Sequence, residues 1–178
     1  MIDARNYRVT ETLRNGLEIC IRSSRPDDTE RLVEAFHELD AETIHMRFFG
    51  PKKELSAADL QRFRETDFRT RVILLGTLNR EDRETVIAVG SYARFDDSAA
   101  EVAFVVEEDY HGLGIARLLL THLGAIAIDA GVRTFTAEAL PRNAAMLGVF
   151  ERCGWPMTVR TSDGIAHVKL QLDRPPLG

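Results

Sequence analysis

The chain has 178 residues, 44% of them apolar and 29% charged, with a formal net charge of −5. That length suits one domain and suffices for a full hydrophobic core. The acidic balance argues against a sequence-independent grip on nucleic acid, which needs a dense basic surface.

Leu17–Arg22 alternates apolar and other residues and reads as a first strand. Pro26-Asp27-Asp28-Thr29 opens a helix whose apolar face includes Leu32, Val33, Phe36 and Leu39. A second helix covers about Ala41–Phe49 and ends at Gly50-Pro51. Ser56 is a good N-cap for a third, Ala57–Glu65. Three strands follow, Val72–Leu78, Thr85–Phe95 and Ala100–Val106. Polar turns at Asn79–Glu84 and Asp96–Ser98 join them, which suggests an antiparallel meander. Then come a long helix, Leu113–Ala130, stopped by Gly131; a strand, Val132–Ala139; a helix, Arg142–Arg152; and a final hairpin, Trp155–Val159 with Ala166–Leu172.

This order describes one mixed α/β domain. We place it at residues 16–173, after an N-terminal extension, 1–15, and before a flexible tail, 174–178. Cys20 and Cys153 are far apart, have no metal-ligand spacing and read as reduced thiols. His37 and His45 read as helix-surface or packing residues, so no metal is expected. The N-terminus lacks the apolar run of a signal peptide. The longest apolar helix is interrupted by Arg117, Thr121, His122 and Asp129, too polar and too short for a membrane span. A cytoplasmic protein without a membrane or nucleic-acid partner is the expectation, as a monomer or a homodimer.

The most informative segment runs from Phe104 to Arg117, where a buried strand passes through a short polar loop and two glycines into a helix. Several backbone N–H groups at a helix start have no intrahelical partner. Glycine lets an anion approach them closely. The helix dipole favours negative charge there, by about 0.3–1 kcal/mol. Together these features make a diphosphate cradle. A P-loop would need Gly-Lys-Ser/Thr, but Gly114 is followed by Ile115. A dinucleotide fingerprint would need a third glycine where Arg117 stands. A helix start with glycines and no ligand remains the competing reading.

His111-Gly112-Leu113-Gly114-Ile115-Ala116 resembles the Gln/Arg-x-x-Gly-x-Gly/Ala signature of the GNAT superfamily of N-acetyltransferases, with His at the Gln/Arg position. A second element of that family is an Asn opening a helix that ends in Gly-aromatic; Asn143 to Gly154-Trp155 has this form. The resemblance implies a single domain with a mixed, mostly antiparallel central sheet flanked by helices. It implies acetyl-CoA as co-substrate, its pantetheine arm held by backbone groups of Phe104, Val105 and Val106. Its diphosphate would lie on His111, Gly112, Leu113, Gly114, Ile115, Ala116 and Arg117, with Asn143 also touching CoA. Asn143 is equally suited to be only a helix cap.

The implied reaction is attack of an amine on the acetyl thioester. A lysine amine has a pKa of about 10.4 and needs a base. Glu101 is the one carboxylate among apolar residues on the strand Ala100–Val106, sharing a face with Ala103 and Val105. A half-buried Glu would have its pKa raised toward the working range. Ala100-Glu101-Val102 is similar to the context of the family's catalytic Glu, so Glu101 is the candidate base and Glu138 the runner-up; an exposed Glu at a strand start is the competing reading of Glu101. A backbone N–H at Val105 or Val106 would serve the oxyanion. The family's tyrosine acid is replaced by Phe150, and Tyr110 is a candidate substitute or a structural residue. A thiol's pKa near 8.5 allows the thiolate to leave unaided.

Arg47-Phe48-Phe49-Gly50-Pro51-Lys52-Lys53-Glu54-Leu55-Ser56 resembles a stretch of bacterial protein-lysine acetyltransferase (Pat-type) domains. The expected acceptor is therefore a protein lysine. Alternatives are a small-molecule amine, or a non-catalytic acyl-CoA sensor. Packing at a helix end is the competing reading of Arg47-Phe48-Phe49.

Overall fold

A computed structural model describes residues 1–176. The apolar alternation that marks strands in the sequence resolves into β1 (Arg8–Thr12), β2 (Glu18–Ser23), β3 (Arg71–Arg80), β4 (Arg83–Arg94), β5 (Ala99–Val106), β6 (Thr134–Ala139), β7 (Met157–Ser162) and β8 (Ile165–Gln171). The helices are α1 (Thr29–His37), α2 (Ala41–Phe48), α3 (Ala57–Arg64), α4 (Ile115–Asp129) and α5 (Ala144–Glu151). The strands form one open sheet in the order β1-β2-β3-β4-β5-β6-β8-β7. Every neighbouring pair is antiparallel except β5 and β6.

Several boundaries differ from the sequence reading, each for a local reason. Residues 8–12, counted with the N-terminal extension, form β1 and pair with β2 from Arg8–Arg22 to Thr12–Glu18. Their weak apolar pattern suits a short polar edge strand. The turn expected over 79–84 shrinks to Glu81-Asp82, both left-handed (φ 49° and 62°), because the flanking residues join the ladder. Asp163-Gly164 makes the same kind of turn between β7 and β8. A short 3-10 turn at Pro26–Asp28 precedes α1. α2 ends with Phe49 in the left-handed region (φ 62°), one residue before the expected Gly50. Ser56 caps α3 as expected, accepting from Asp59 N–H at 3.0 Å. In the tail, Arg174 is tied down: its carbonyl accepts from Trp155 Nε1 at 2.9 Å and its guanidinium donates to Gly154 O at 2.8 Å. The tail's Leu177 and Gly178 lie outside the described residues.

α4 and α5 pack on one face of the sheet over a large apolar core, which includes Phe104, Leu119, Leu123, Phe135 and Phe150. α1 and α3 cover the other face over a smaller cluster of Phe63, Ile73, Leu75 and Val86. Between β5 and β6 the sheet opens. Their parallel pairing covers only Ala99–Thr134 to Glu101–Thr136, while β5 stays paired with β4 as far as Val106. β5 beyond Glu101 therefore has a free edge, and that opening positions the candidate site.

Candidate active site

A cavity of about 450 Å³ runs through the opening. Its walls come from both faces of the sheet: the start of α4 and the length of α5 on one side, Thr43, Met46 and Arg47 of α2 on the other. All the residues expected to bind the cofactor line it except Leu113, as do both candidate bases.

Gly112 and Gly114 both hold left-handed backbone (φ 79° and 87°), which turns the chain sharply into α4. The first intrahelical bond is Leu118 N–H to Gly114 O at 3.1 Å. Among the described residues, none accepts a hydrogen bond from the amides of Gly112 through Arg117. These are six consecutive donors at the positive end of a 15-residue helix, and five of the six residues line the cavity. His111 does something else: its Nε2 donates to Val106 O at 2.7 Å, clamping the end of β5 to the turn. The sequence reading missed Arg14. From the β1–β2 turn it donates to Gly112 O at 3.4 Å and lines the cavity beside the cradle. It is about a hundred residues away in sequence, so no local pattern could associate it with the turn.

The open edge of β5 has a definite phase. Glu107 N–H donates to Ile87 O at 2.9 Å, and the register puts Glu101, Ala103 and Val105 in the same phase toward β4. The backbone groups of Val102, Phe104 and Val106 consequently turn to the free edge. Val105 faces the cavity with its side chain, but its amide belongs to β4. That amide is therefore not turned to the cavity edge, whereas those of its neighbours Phe104 and Val106 are.

Glu101 lies where β6 peels away from β5 and shares a face with Ala103 and Val105, as alternation required. It is exposed instead of half-buried, at the mouth of the cavity where the β5–β6 pairing ends. Glu138 lines the same cavity, and its carboxylate is 3.7 Å from His167 Nδ1 on β8. Asn143 caps α5, accepting from Met146 N–H at 3.2 Å, while still lining the cavity. Phe150 is 1% exposed and packs on Phe104 with ring centroids 6.2 Å apart. Tyr110 lies outside the cavity lining, under the Arg80 guanidinium at 5.0 Å. Its position there favours the structural reading.

The Arg47–Ser56 stretch divides in two. Lys52 reaches Asp59 at 2.9 Å and lies over the Phe48 ring at 5.0 Å, while Ser56 caps α3. Those residues fold the segment. Arg47 lies over Phe48 at 4.9 Å and faces the cavity.

Comparison with known proteins places this geometry. Residues 33–155 match the model of the Acetyltransferase (GNAT) family. The chain is 32% identical over 167 residues to "Acetyltransferase Pat" of Mycolicibacterium smegmatis, covering 93% of this chain and 48% of that one. It thus spans about half the length of that relative. It is 28% identical over 137 residues to acetyltransferase PA5475 of Pseudomonas aeruginosa, covering 76% of this chain and 74% of that one. The fold superposes on the crystal structure of the GNAT domain of S. lividans PAT with a TM-score of 0.85 and 34% identity, over 92% of this chain and 96% of that one.

Proposed function

The chain belongs to the GNAT family of acetyltransferases, and from that premise we propose that it moves an acetyl group from acetyl-CoA to a lysine side chain of a protein, by direct attack of the amine on the thioester. The observation that carries this reading is the run of six unpartnered amides at Gly112–Arg117 beside the unpaired edge of β5. The first array suits a diphosphate. The second suits an amide-bearing arm that adds to the sheet edge as a strand would. A backbone N–H of Phe104 or Val106 on that edge stabilises the developing oxyanion.

Glu101 takes the proton from the amine, directly or through one water. The nitrogen–carbon bond forms, the carbon–sulfur bond breaks, and the sulfur leaves as a thiolate. A thiol pKa near 8.5 makes that departure tolerable without a protein acid, which suits a site where apolar Phe150 stands in place of a hydroxyl. The Pat-like segment at Arg47–Ser56 supports a protein lysine as acceptor. The lysine ammonium would meet Glu42, Glu101 and Glu138 on the cavity wall. Asn143, Arg14 and Arg117 complete the cofactor side.

Calorimetry with coenzyme A should show binding, and mass spectrometry of candidate proteins incubated with acetyl-CoA should show acetylated lysines. Glu101→Gln should keep CoA affinity and lower turnover by about 10²–10⁴-fold. Unchanged turnover would remove Glu101 from the base role. CoA binding with no transfer to any protein or small amine would instead favour a sensor, the reading to which Phe150 lends weight. Acetylation of small amines alone would replace the protein acceptor.

A further inference from the structure

Arg47 is a charged group that makes no direct ion pair among the described residues. Among the described residues no carboxylate lies within 4.0 Å of its guanidinium, and none accepts a hydrogen bond from it. Its one close partner is the face of Phe48 at 4.9 Å, worth only about 0.5–1 kcal/mol at an ordinary site. Burial pushes its pKa down, and the charges of Glu101 and Asp59 only partly oppose that. A guanidinium nonetheless stays protonated in a protein, with five donors in a rigid fork. The side chain is partly buried, and a guanidinium held there without a direct ion pair is incompletely compensated.

Its position gives that arrangement a purpose. A second cavity, of about 200 Å³, lies under α1, α2 and α3 and is walled mostly by apolar side chains such as Leu32, Phe36 and Val89. Among the described residues, only Arg47, Ala103 and Val105 line both this chamber and the cofactor cleft. Ala103 and Val105 are on the face of β5 that also carries Glu101. The guanidinium thus stands at the junction of the two cavities, beside the strand where the acyl carbon and the amine would meet. A planar fork of N–H donors matches a carboxylate through two parallel hydrogen bonds. Glu101 does not fill that role, since no ion pair joins the two.

We propose that Arg47 is the receptor for a substrate carboxylate that lies a few bonds from the reacting centre, and that the enzyme prefers a substrate carrying one. The carboxylate has two chemical sources. It ends the acyl group, as in a dicarboxylic acyl-CoA, or it belongs to the acceptor, as an acidic group beside the amine. The inference rests on the acyl-transfer reading of this cleft, and it adds the substrate's charge.

Two arms separate the sources, using the full chain. In the acyl arm, succinyl-CoA and butyryl-CoA have the same acyl length and differ in the terminal carboxylate; their binding is measured by calorimetry. In the acceptor arm, acetyl-CoA is paired with a lysine peptide bearing Glu beside the lysine, and with its Gln twin; kcat/KM is measured. The expected result is a preference of about tenfold or more for the carboxylate form in one arm. Arg47→Met should abolish that preference and leave CoA affinity and the neutral substrate unaffected. Arg47→Lys should restore part of it.

Equal treatment of charged and neutral forms by the wild type in both arms would overturn the proposal, and this comparison needs no variant to fold. So would Arg47→Met lowering neutral and charged substrates in equal proportion, since Arg47 would then serve Glu101 as a positioning residue. Failure of the acyl-transfer reading looks different: no donor yields product. In that event calorimetry decides for both sources, succinyl-CoA against butyryl-CoA and the Glu peptide against its Gln twin, and equal binding within both pairs overturns the Arg47 proposal.

Discussion

The two faces of the sheet are fastened by different forces. Under α4 and α5 the cement is apolar: Leu119, Leu123, Phe135 and Phe150 are at most 1% exposed. Under α1, α2 and α3 the buried apolar cluster has four members, with Leu32, Ala35 and Val89 packed against it, and a buried ion-pair network stands beside it. Arg22 of β2 is 2% exposed and donates to both oxygens of the fully buried Asp28, at 2.9 and 2.7 Å. The same guanidinium reaches Glu84 of β4 at 3.0 and 2.8 Å. That network pins the turn before α1 to the sheet. A site that must present six amides in fixed array gains from close packing, which resists deformation. A face that shapes acceptor or acyl choice gains from helices held at a few polar points over an open chamber.

The largest test of this contrast is to cut the polar fastening. Burial pushes the Asp28 carboxyl up, but the hydrogen bond from Arg22, the Arg25 N–H and the nearby guanidinium charges hold it below the usual carboxylate range. Removing Asp28 takes two of the Arg22 guanidinium's hydrogen bonds and leaves Glu84 as its remaining carboxylate, so the cost approaches but does not exceed the about 3–5 kcal/mol of a fully orphaned buried charge. Asp28→Ala should therefore lower the urea midpoint by a large fraction of the total stability. If the faces are separately built, the molecules that remain folded should bind CoA as tightly as before. Loss of CoA affinity in proportion would show that the two faces act as one unit.

The same contrast governs what the sequence disclosed. The cofactor side was legible because its signals are local. A strand, two glycines and a helix start lie within Phe104–Arg117, and Ser56 and Asn143 cap the helices they precede. β1 was not legible, because Val9 is the only large apolar residue in Arg8–Thr12; its place depends on distant partners. One of these is His122 of α4, whose Nδ1 meets Tyr7 Oη at 2.6 Å and whose Nε2 meets Glu11 at 2.7 Å. Glu101 was assigned to the correct face, but alternation left its burial open between half-buried and exposed; the exposed outcome depends on the cavity mouth around it, a three-dimensional fact. Arg14 and the two-sided exposure of Arg47 were hidden for the same reason.

The apolar face has its own test, smaller in size. A Cβ added at Gly124 of α4 would stand 2.2 Å from a ring carbon of Trp155, which is itself 5% exposed. Alanine should gain up to about 1 kcal/mol of helix propensity over glycine. Overpacking a dense core typically costs about 1–3 kcal/mol, and a contact this short requires the indole or α4 to move. Gly124→Ala should therefore be net destabilising, with the melting temperature falling by about 2–4 °C for each kcal/mol lost. CoA affinity should fall too, since α4 carries the amides, in contrast to Asp28→Ala. A neutral or stabilising result would mean that this face yields more readily than its packing indicates.

The smallest effect expected is an acid-dependent loosening confined to the helical face. Asp59 takes a hydrogen bond from Lys52 at 2.9 Å and from the Ser56 N–H at 2.9 Å, closing the cap of α3. Lys52 chiefly, with Ser56 helping and burial opposing, pulls its carboxyl down to about 2. An unfolded Asp has a pKa of about 3.9. The folded group binds its proton less readily, so the stabilisation is fully present above about pH 4 and is lost as the pH falls through about 2. The carboxyl is partly exposed, so solvent screening keeps the effect to roughly 1 kcal/mol or less. Hydrogen exchange should show the amides of α3 losing protection across that window in the wild type, and no such step in Asp59→Asn. The middle of α4, around Leu119 and Leu123, should show no step that depends on Asp59. If α4 loosens in concert with α3 and the variant cancels both steps, the polar fastening would be supporting the cofactor face as well, and the division drawn between the two sides would have to be abandoned.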